Sequence, residues 1–270
     1  MSIATKGKFK SLLMKVYTLI LGRHPYNTVL SFNFHNVRHI IKYLKKERET
    51  ICSKAECVLV DVGAGASPYY DIFSPVTSRY VAVDMKESLT KNENRSIEQI
   101  YGFAEAIPLE NAMADIVLFN QCLEHVHDPL KSVAEIYRIL KPGGKLIGSV
   151  PHISPVHLEP NDFRRYTDLG LRQLLGGAGY TDIKIEGSGS VYSATALLIT
   201  MDWMLTPRKD GVSQGFSAKK ALLLSPIVGL INILGLLLDF LAKDKYIAFP
   251  NLMRYTKILT PESRILTPES

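Results

Sequence analysis

Two carboxylates and a pair of glycines stand where a small-molecule site can be built. Cys57-Val58-Leu59-Val60-Asp61-Val62 is a short apolar run that ends in Gly63-Ala64-Gly65. Such a run reads as a buried strand entering a tight turn. Glycine lets the backbone turn sharply and lets a ligand approach with no Cβ in the way. The next such run, Tyr80-Val81-Ala82-Val83, ends in Asp84. A carboxylate at a strand end can accept both hydroxyls of a ribose. A nicotinamide site shares this logic but usually carries a third glycine for the diphosphate. The matching position here is Pro68.

A second group of reactive types follows the fourth apolar run. It spans Pro151 to Thr167 and includes His152, His157, Glu159, Asp162, Arg164, Arg165 and Tyr166. His152 and His157 are candidate bases, because neutral imidazole is available near pH 7. Arg164, Arg165 and Tyr166 are candidates to hold an anionic or sugar-like substrate. The competing reading is a loop pinned by its own salt bridges. His125 is a further candidate base, or a support for a helix turn. His125 and His127 are two residues apart and would not share a helix face, so no metal site is read there.

These groups need a scaffold. Apolar strands are expected at 57–62, 80–84, 115–120 and 145–150, with helices between them. Leu130–Leu140 reads as a helix that stops at Lys141-Pro142-Gly143-Gly144. Leu169–Gly176 reads as another, and Thr181–Glu186 as a strand. Strands alternating with helices imply parallel βαβ units, with ligands at the carboxyl ends of the strands. Before this core, Phe9, Leu12, Leu13, Val16 and Ile20 mark one face of a helix expected to pack on its own domain. A second helix is expected at Asn33–Glu47, burying Phe34, Val37, Ile41 and Leu44.

After the core, Val191–Leu205 and Ala221–Ala242 are strongly apolar, and Phe249–Ile258 reads as a last strand. Ala221–Leu238 holds eighteen residues without a charge, enough to span a bilayer. Pro226, Asn232 and two glycines weaken that reading. A single crossing would also strand the last strand on the wrong side of the membrane. The expectation is a helical cap, buried or dipping into one leaflet, with Arg208, Lys209, Lys219 and Lys220 at its edge. The chain ends in two copies of Ile-Leu-Thr-Pro-Glu-Ser, read as a repeated tail outside the fold.

With 46% hydrophobic residues the 270-residue chain can bury a real core, which excludes wholesale disorder. Residues 1–56 carry 11 Lys/Arg against 3 Asp/Glu, residues 57–190 carry 12 against 17, and residues 191–270 carry 9 against 6. The net charge of +6 therefore lies in the flanks, which suit an anionic surface. Three cysteines without a C-x-x-C pair indicate neither a disulfide framework nor a zinc ribbon, and fit a reducing compartment. Lys15 interrupts the first apolar stretch and no cleavage site follows. The expected location is the cytoplasm, with peripheral docking at the inner face of the membrane.

The motifs form an ordered series: Val58–Gly65, Val81–Asp84, Gly102–Leu109, Asp115–Asn120, Leu123-Glu124-His125-Val126 and Lys141–Gly144. This series resembles the class I S-adenosylmethionine-dependent methyltransferases, in particular the type 11-like branch with LEH and KPGG signatures, over about residues 55–190. The resemblance implies an α/β fold: a three-layer, Rossmann-like, mostly parallel seven-stranded sheet, with N-terminal helices and an apolar helical insertion before the last strand. The expected organisation is a basic helical segment at 1–54, a cofactor-binding core at 55–190, an apolar cap at 191–248, the last strand at 249–258 and a tail at 259–270.

The cofactor implied is S-adenosylmethionine. Gly63, Ala64 and Gly65 would line its methionine part, with Asp61 near the amino group. Asp84 would bind the ribose hydroxyls and Met85 would pack on the adenine. Ala104 and Glu105 would border the adenine edge. Asn120 and Gln121 would face the methionine end, with Glu124 and His125 opening the next helix. The family often has Asp where this chain has Phe103, so a backbone carbonyl or Glu105 would have to accept from the adenine amino group. The 151–167 loop resembles a branch associated with cell-surface polysaccharide and lipid-linked sugar pathways. The activity implied is methyl transfer by direct displacement to a small-molecule, sugar or lipid-linked acceptor. An RNA methyltransferase is an alternative raised by the basic flanks. The acidic core and the lack of an Asn/Asp-Pro-Pro-Tyr motif count against it. A non-catalytic scaffold with the same fold is the third reading.

Overall fold

The computed structural model describes residues 3–51, 56–90, 95–207, 214–241 and 253–259. Cys52, Arg208, Lys209, residues 249–252 of the expected last strand and residues 260–270 of the repeated tail lie outside them. Seven strands form one sheet: β1 (Val58–Val62), β2 (Arg79–Asp84), β3 (Glu98–Tyr101), β4 (Ala114–Asn120), β5 (Leu140–Pro151), β6 (Thr181–Ser188) and β7 (Met253–Leu259). Their order is β3-β2-β1-β4-β5-β7-β6. The β1–β2, β1–β4, β2–β3 and β4–β5 pairings are parallel. The order reverses between β1 and β4, and a ligand crevice forms at such a switch point.

Central strands of a parallel sheet are covered on both faces and so read as apolar runs. Leu59, Val60, Val81, Ala82, Val117 and Leu118 are all fully buried. Strand β3 was not expected, and its composition explains why. Glu98-Gln99-Ile100-Tyr101 lies at the sheet edge and keeps Glu98 in an ion pair with Arg79. Strand β5 starts at Leu140, five residues before the expected Lys145. Its register against β4 jumps from Leu140↔Ala114 to Lys145↔Ile116, so the Lys-Pro-Gly-Gly segment bulges. Lys141 Nζ closes that bulge on Asp115 Oδ2 at 2.7 Å.

The helices are α1 (Ile3–Leu21), α2 (Phe34–Glu49), α3 (Tyr70–Phe73), α4 (Pro129–Ile139), α5 (Asp168–Gly177), α6 (Val191–Met204) and α7 (Ala218–Leu241). Helix α4 begins where its chemistry dictates: Asp128 accepts from Lys131 N and Pro129 takes the first position. Glu124 and His125 therefore sit in the turn before the helix and do not open it. Val133, Ile136 and Ile139 of α4 pack with Val60, Val117 and Leu146 of the sheet.

The chain divides into two compact units. The sheet unit comprises Tyr43–His152, Phe163–Gly187 and the stretch from Arg254. The helical unit comprises the stretch up to Lys42, Ile153–Asp162 and Ser188–Met253. In the helical unit both long apolar segments are helices, α6 and α7, which pack on each other, and α1 also lies against α7. Leu21, Met204, Ala221 and Val228 form its core, with Tyr17, Leu30 and Phe32 against them. Asn232, mid-way along α7, donates from Nδ2 to the carbonyls of Val29 (2.7 Å) and Ser31 (2.9 Å). The expected apolar face of α1 does not pack inside: Leu12, Val16 and Ile20 are exposed, and Tyr17 and Leu21 make the contacts instead.

Candidate functional site

The carboxyl ends of β1, β2 and β4 meet in the sheet unit. Gly63 has φ +73°, and a Cβ there would lie 2.5 Å from Cys122 Sγ. Only hydrogen fits between the turns after β1 and β4. Gly65 has φ +51° and would point a Cβ into space with no atom within 4 Å. Its backbone N–H donates to Asp84 Oδ2 at 2.8 Å, and Met85 N donates to Asp84 Oδ1 at 2.7 Å. A carboxylate has about four acceptor sites, so two such bonds leave Asp84 capacity for a diol. Gly63 N and Ala64 N both donate to Val83 O, which fixes the turn to β2.

The segment after β3 completes this rim. Gly102 N donates to Asp84 O at 3.1 Å. Phe103 and Met85 are exposed, and Ala104 is partly buried against the core. Glu105 does not stand free at the rim. Its Oε1 accepts from His127 N (2.9 Å) and Asp128 N (3.4 Å), tying this segment to the turn before α4. Arg138 holds the segment from below, donating to the carbonyls of Ile107 (2.8 Å) and Leu109 (2.7 Å) and pairing with Glu135.

The electrostatics are acidic. Asp61 is buried and accepts from Tyr80 Oη at 2.6 Å. Burial pushes its carboxyl up to about 7, Tyr80 opposes the rise, and the Asp84 charge adds to it. Glu124 is fully buried. Burial pushes the Cys122 thiol up, and Glu124, Asp84, Glu105 and Asp61 push it further. Burial, then Asp61 and Glu124, likewise raise Tyr69. Asn120, at the end of β4, accepts from Ser149 Oγ on Oδ1, but its buried Nδ2 has no partner. An orphaned buried donor calls for an acceptor from outside the protein. Gln121 follows with φ +51°, a strained conformation for a side chain of its size. It is held by Gln121 N to Ser149 O (2.8 Å) and Nε2 to Ser149 Oγ (3.1 Å).

His125 Nε2 lies 3.7 Å from Glu124 Oε1. His152 Nδ1 lies 2.8 Å from Tyr166 O. A carbonyl only accepts, so Nδ1 carries the proton and Nε2 the lone pair. His157 belongs to the helical unit, where Asp162 Oδ2 takes its backbone N–H at 2.8 Å and lies 3.2 Å from Nδ1. Arg164 donates to the carbonyls of Val126 (2.7 Å) and His127 (3.0 Å), and Tyr166 Oη to that of Leu123 (3.2 Å). Both side chains brace the 123–127 turn. Burial pushes the Tyr166 phenol up to about 12, so it stays protonated. Arg165 Nη1 donates to Arg164 O. Tyr80 and Cys122 carry no local sequence signal for this site, because their contacts, with Asp61 and Gly63, are made by neighbouring strands.

The arrangement fits a ligand with a cationic end, an acceptor for Asn120 and a diol for Asp84. Residues 60–148 match the family described as "Methyltransferase domain". A protein of Mycolicibacterium smegmatis, described as a probable S-adenosylmethionine-dependent methyltransferase, is 26% identical over 148 residues, covering 52% of this chain and 56% of that one. The match spans about half the length of such curated relatives. An Archaeoglobus fulgidus SAM-dependent methyltransferase superposes with TM-score 0.52 at 15% identity, over 84% of this chain and 97% of that one. Phosphoethanolamine N-methyltransferase 2 of Haemonchus contortus, crystallised with S-adenosyl-L-methionine, gives TM-score 0.52 at 15% identity, over 80% of this chain and 52% of that one. Both likenesses are of fold. With the strand order and the matched segment in agreement, residues 60–148 carry a methyltransferase domain, similar to those of the class I S-adenosylmethionine-dependent methyltransferases.

Proposed function

We propose that the chain moves a methyl group from S-adenosylmethionine to a small-molecule, sugar or lipid-linked acceptor at a membrane surface. The observation that carries the transfer is the buried acid centre with the unpartnered Asn120 amide beside the open glycine turn. Asp61 would face the ammonium and Asn120 the carboxylate of the methionine part. Asp84 would take the ribose hydroxyls. The cofactor, when bound, would supply an electrophilic methyl carbon to an acceptor lone pair, with the carbon–sulfur electron pair left on sulfur. The chain's own work is to align the two reactants, and alignment alone supplies much of the rate. A hydroxyl acceptor also releases a proton, and His152, with its Nε2 lone pair, is the residue we assign to receive it.

The membrane part of the reading rests on α7. It is long and apolar enough to cross a bilayer. Leu223, Leu230, Leu234, Leu237 and Leu241 form an exposed stripe along it. The opposite face, with Val228, Asn232 and Gly235, is buried. Crossing would drag the non-helical carbonyls of Val29 and Ser31, bound by Asn232, to mid-bilayer depth, which lipid does not tolerate. Lying flat leaves them on the protein side and places Lys219 and Lys220 near lipid headgroups. The location that follows is peripheral, at the inner face of a membrane.

The test is calorimetric binding of S-adenosylmethionine and S-adenosylhomocysteine, followed by transfer of labelled methyl groups to sugar, lipid and RNA fractions. Binding with label in sugar or lipid supports the reading. Label in RNA would move it to the RNA alternative, and a folded chain that binds neither ligand would move it to a scaffold.

A further inference from the structure

Helix α2 buries two histidines that the methyl-transfer site does not use. His35 and His39 are four residues apart, so their side chains share one helix face. Asp239, in the last turn of α7, meets that face within the helical unit. One ligand atom from each of the three lies within 4.8 Å of the others. We propose that His35, His39 and Asp239 bind a divalent transition-metal ion of the zinc class, which ties α2 to the α6–α7 pair.

Hydrogen bonding argues for an occupant. His35 is fully buried, and neither ring nitrogen makes a hydrogen bond of ordinary geometry; the backbone of Asn232 is the polar group that acts on the ring. Native proteins rarely leave both nitrogens of a buried imidazole unsatisfied. His39 places Nδ1 at 2.8 Å from Ser188 Oγ, while its buried Nε2 has no partner. That is the arrangement in which a second polar group fixes the tautomer and turns the other nitrogen toward a metal. Asp239 Oδ1 accepts from Ser190 Oγ and, at 3.3 Å, from Ser193 N, which orients its carboxylate at the start of α6.

Chemistry and packing agree. Both imidazoles are buried, and an imidazole with one bare ring nitrogen has a lone pair to give. Two neutral imidazoles and one carboxylate are a common zinc set, with a fourth position for water. Zinc–ligand bonds of about 2.1 Å place ligand atoms about 3.4 Å apart. The three groups would close in slightly by side-chain rotation. Gly235 leaves the room: a Cβ there would lie 2.9 Å from His35 Nε2. Arg38, on the same helix, opposes a cation through its charge, and Asp239 offsets it.

The experiment uses the full chain, stripped with a chelator and titrated with Co²⁺ and then Zn²⁺. The expected result is one equivalent of Co²⁺ with the visible absorption of a four-coordinate site, displaced by Zn²⁺. His39→Ala and Asp239→Asn should each weaken Co²⁺ binding at least tenfold, and His127→Ala should not. If those variants fail to fold, Zn²⁺ protection of His35 and His39 from chemical modification, mapped by mass spectrometry in the unaltered chain, decides the matter. Loss of the absorption in His127→Ala but not in His39→Ala would overturn the proposal. So would a folded chain that binds no Co²⁺, which would leave a buried water as the occupant.

Discussion

The backbone N–H of Gly65 donates to Oδ2 of Asp84 at 2.8 Å, joining the turn after β1 to the end of β2. The residue assigned to the ribose is thus also a brace for the loop assigned to the methionine part. The two tasks separate by substitution. Asp84→Asn keeps one carbonyl acceptor, for Gly65 N or Met85 N but not both, and loses the charge, so stability should fall by about 1–2 kcal/mol. Affinity for S-adenosylhomocysteine should still fall about tenfold or more. Asp84→Ala should lose both. Calorimetry and thermal unfolding of the two variants check this, and unchanged affinity in Asp84→Asn would refute the ribose assignment.

The two glycines should respond differently. Gly63→Ala drives a Cβ into Cys122 Sγ at a positive φ, and a cost of about 2 kcal/mol or more is expected in denaturant unfolding. Gly65→Ala meets no protein atom, so only the left-handed backbone cost of about 1 kcal/mol applies. Its larger effect should be on cofactor binding, because the new methyl enters the space assigned to the ligand. Equal destabilisation of both variants with intact binding would count against this site.

Asp61 should make the ligand-free chain sensitive to pH. Its folded-state value, about 7, lies above the ordinary 3.8, so the folded chain holds the proton that the unfolded chain releases. The stability Asp61 contributes is fully present below about pH 4 and is lost as pH rises to about 7. The steepest slope is about 1.4 kcal/mol per pH unit. Asp61→Asn should flatten that part of the profile in denaturant titrations. Binding of the cationic end should expel the proton, so calorimetric heats below pH 7 should depend on the buffer's ionisation enthalpy.

Arg138 is a structural cation. Its guanidinium serves the carbonyls of Ile107 and Leu109, Asn111 Oδ1 and Glu135. It also holds the Glu135 carboxyl below the usual range. Arg138→Ala should cost about 2–3 kcal/mol in denaturant unfolding. It should also speed proteolysis near 107–111. A loss under 0.5 kcal/mol would show that the segment does not depend on it.

The α7 stripe should carry membrane affinity. Leu230→Glu combined with Leu237→Glu should abolish co-sedimentation with vesicles containing anionic lipid, while leaving cofactor binding intact. Lys219→Glu with Lys220→Glu should weaken binding and reduce its salt dependence. Retention of vesicle binding in the double Leu variant would reject the in-plane docking of α7.

By itself the sequence determined the interior strands and the turns that carry the site. β1, β2 and β4 are covered on both faces, so burial writes them as apolar runs, and only glycine tolerates the geometry at Gly63. The apolar lengths of α6 and α7 were equally plain. Strand β3 was not, because an edge strand faces water and keeps polar residues such as Glu98.

Only the tertiary structure decided the tasks of the polar groups. The types in Arg164 and Tyr166 allow substrate binding, yet the fold gives them the carbonyls of Val126, His127 and Leu123. Periodicity marked Phe34, Val37, Ile41 and Leu44 as the inner face of α2, and the fold also buries His35 and His39 there. Their environment is made by Ser188 and Asp239, far along the chain. A hydrophobic pattern is a property of neighbours in sequence, because it records which face of an element meets the core. A hydrogen bond or a ligand set depends on groups brought together by folding, and no local spacing encodes them.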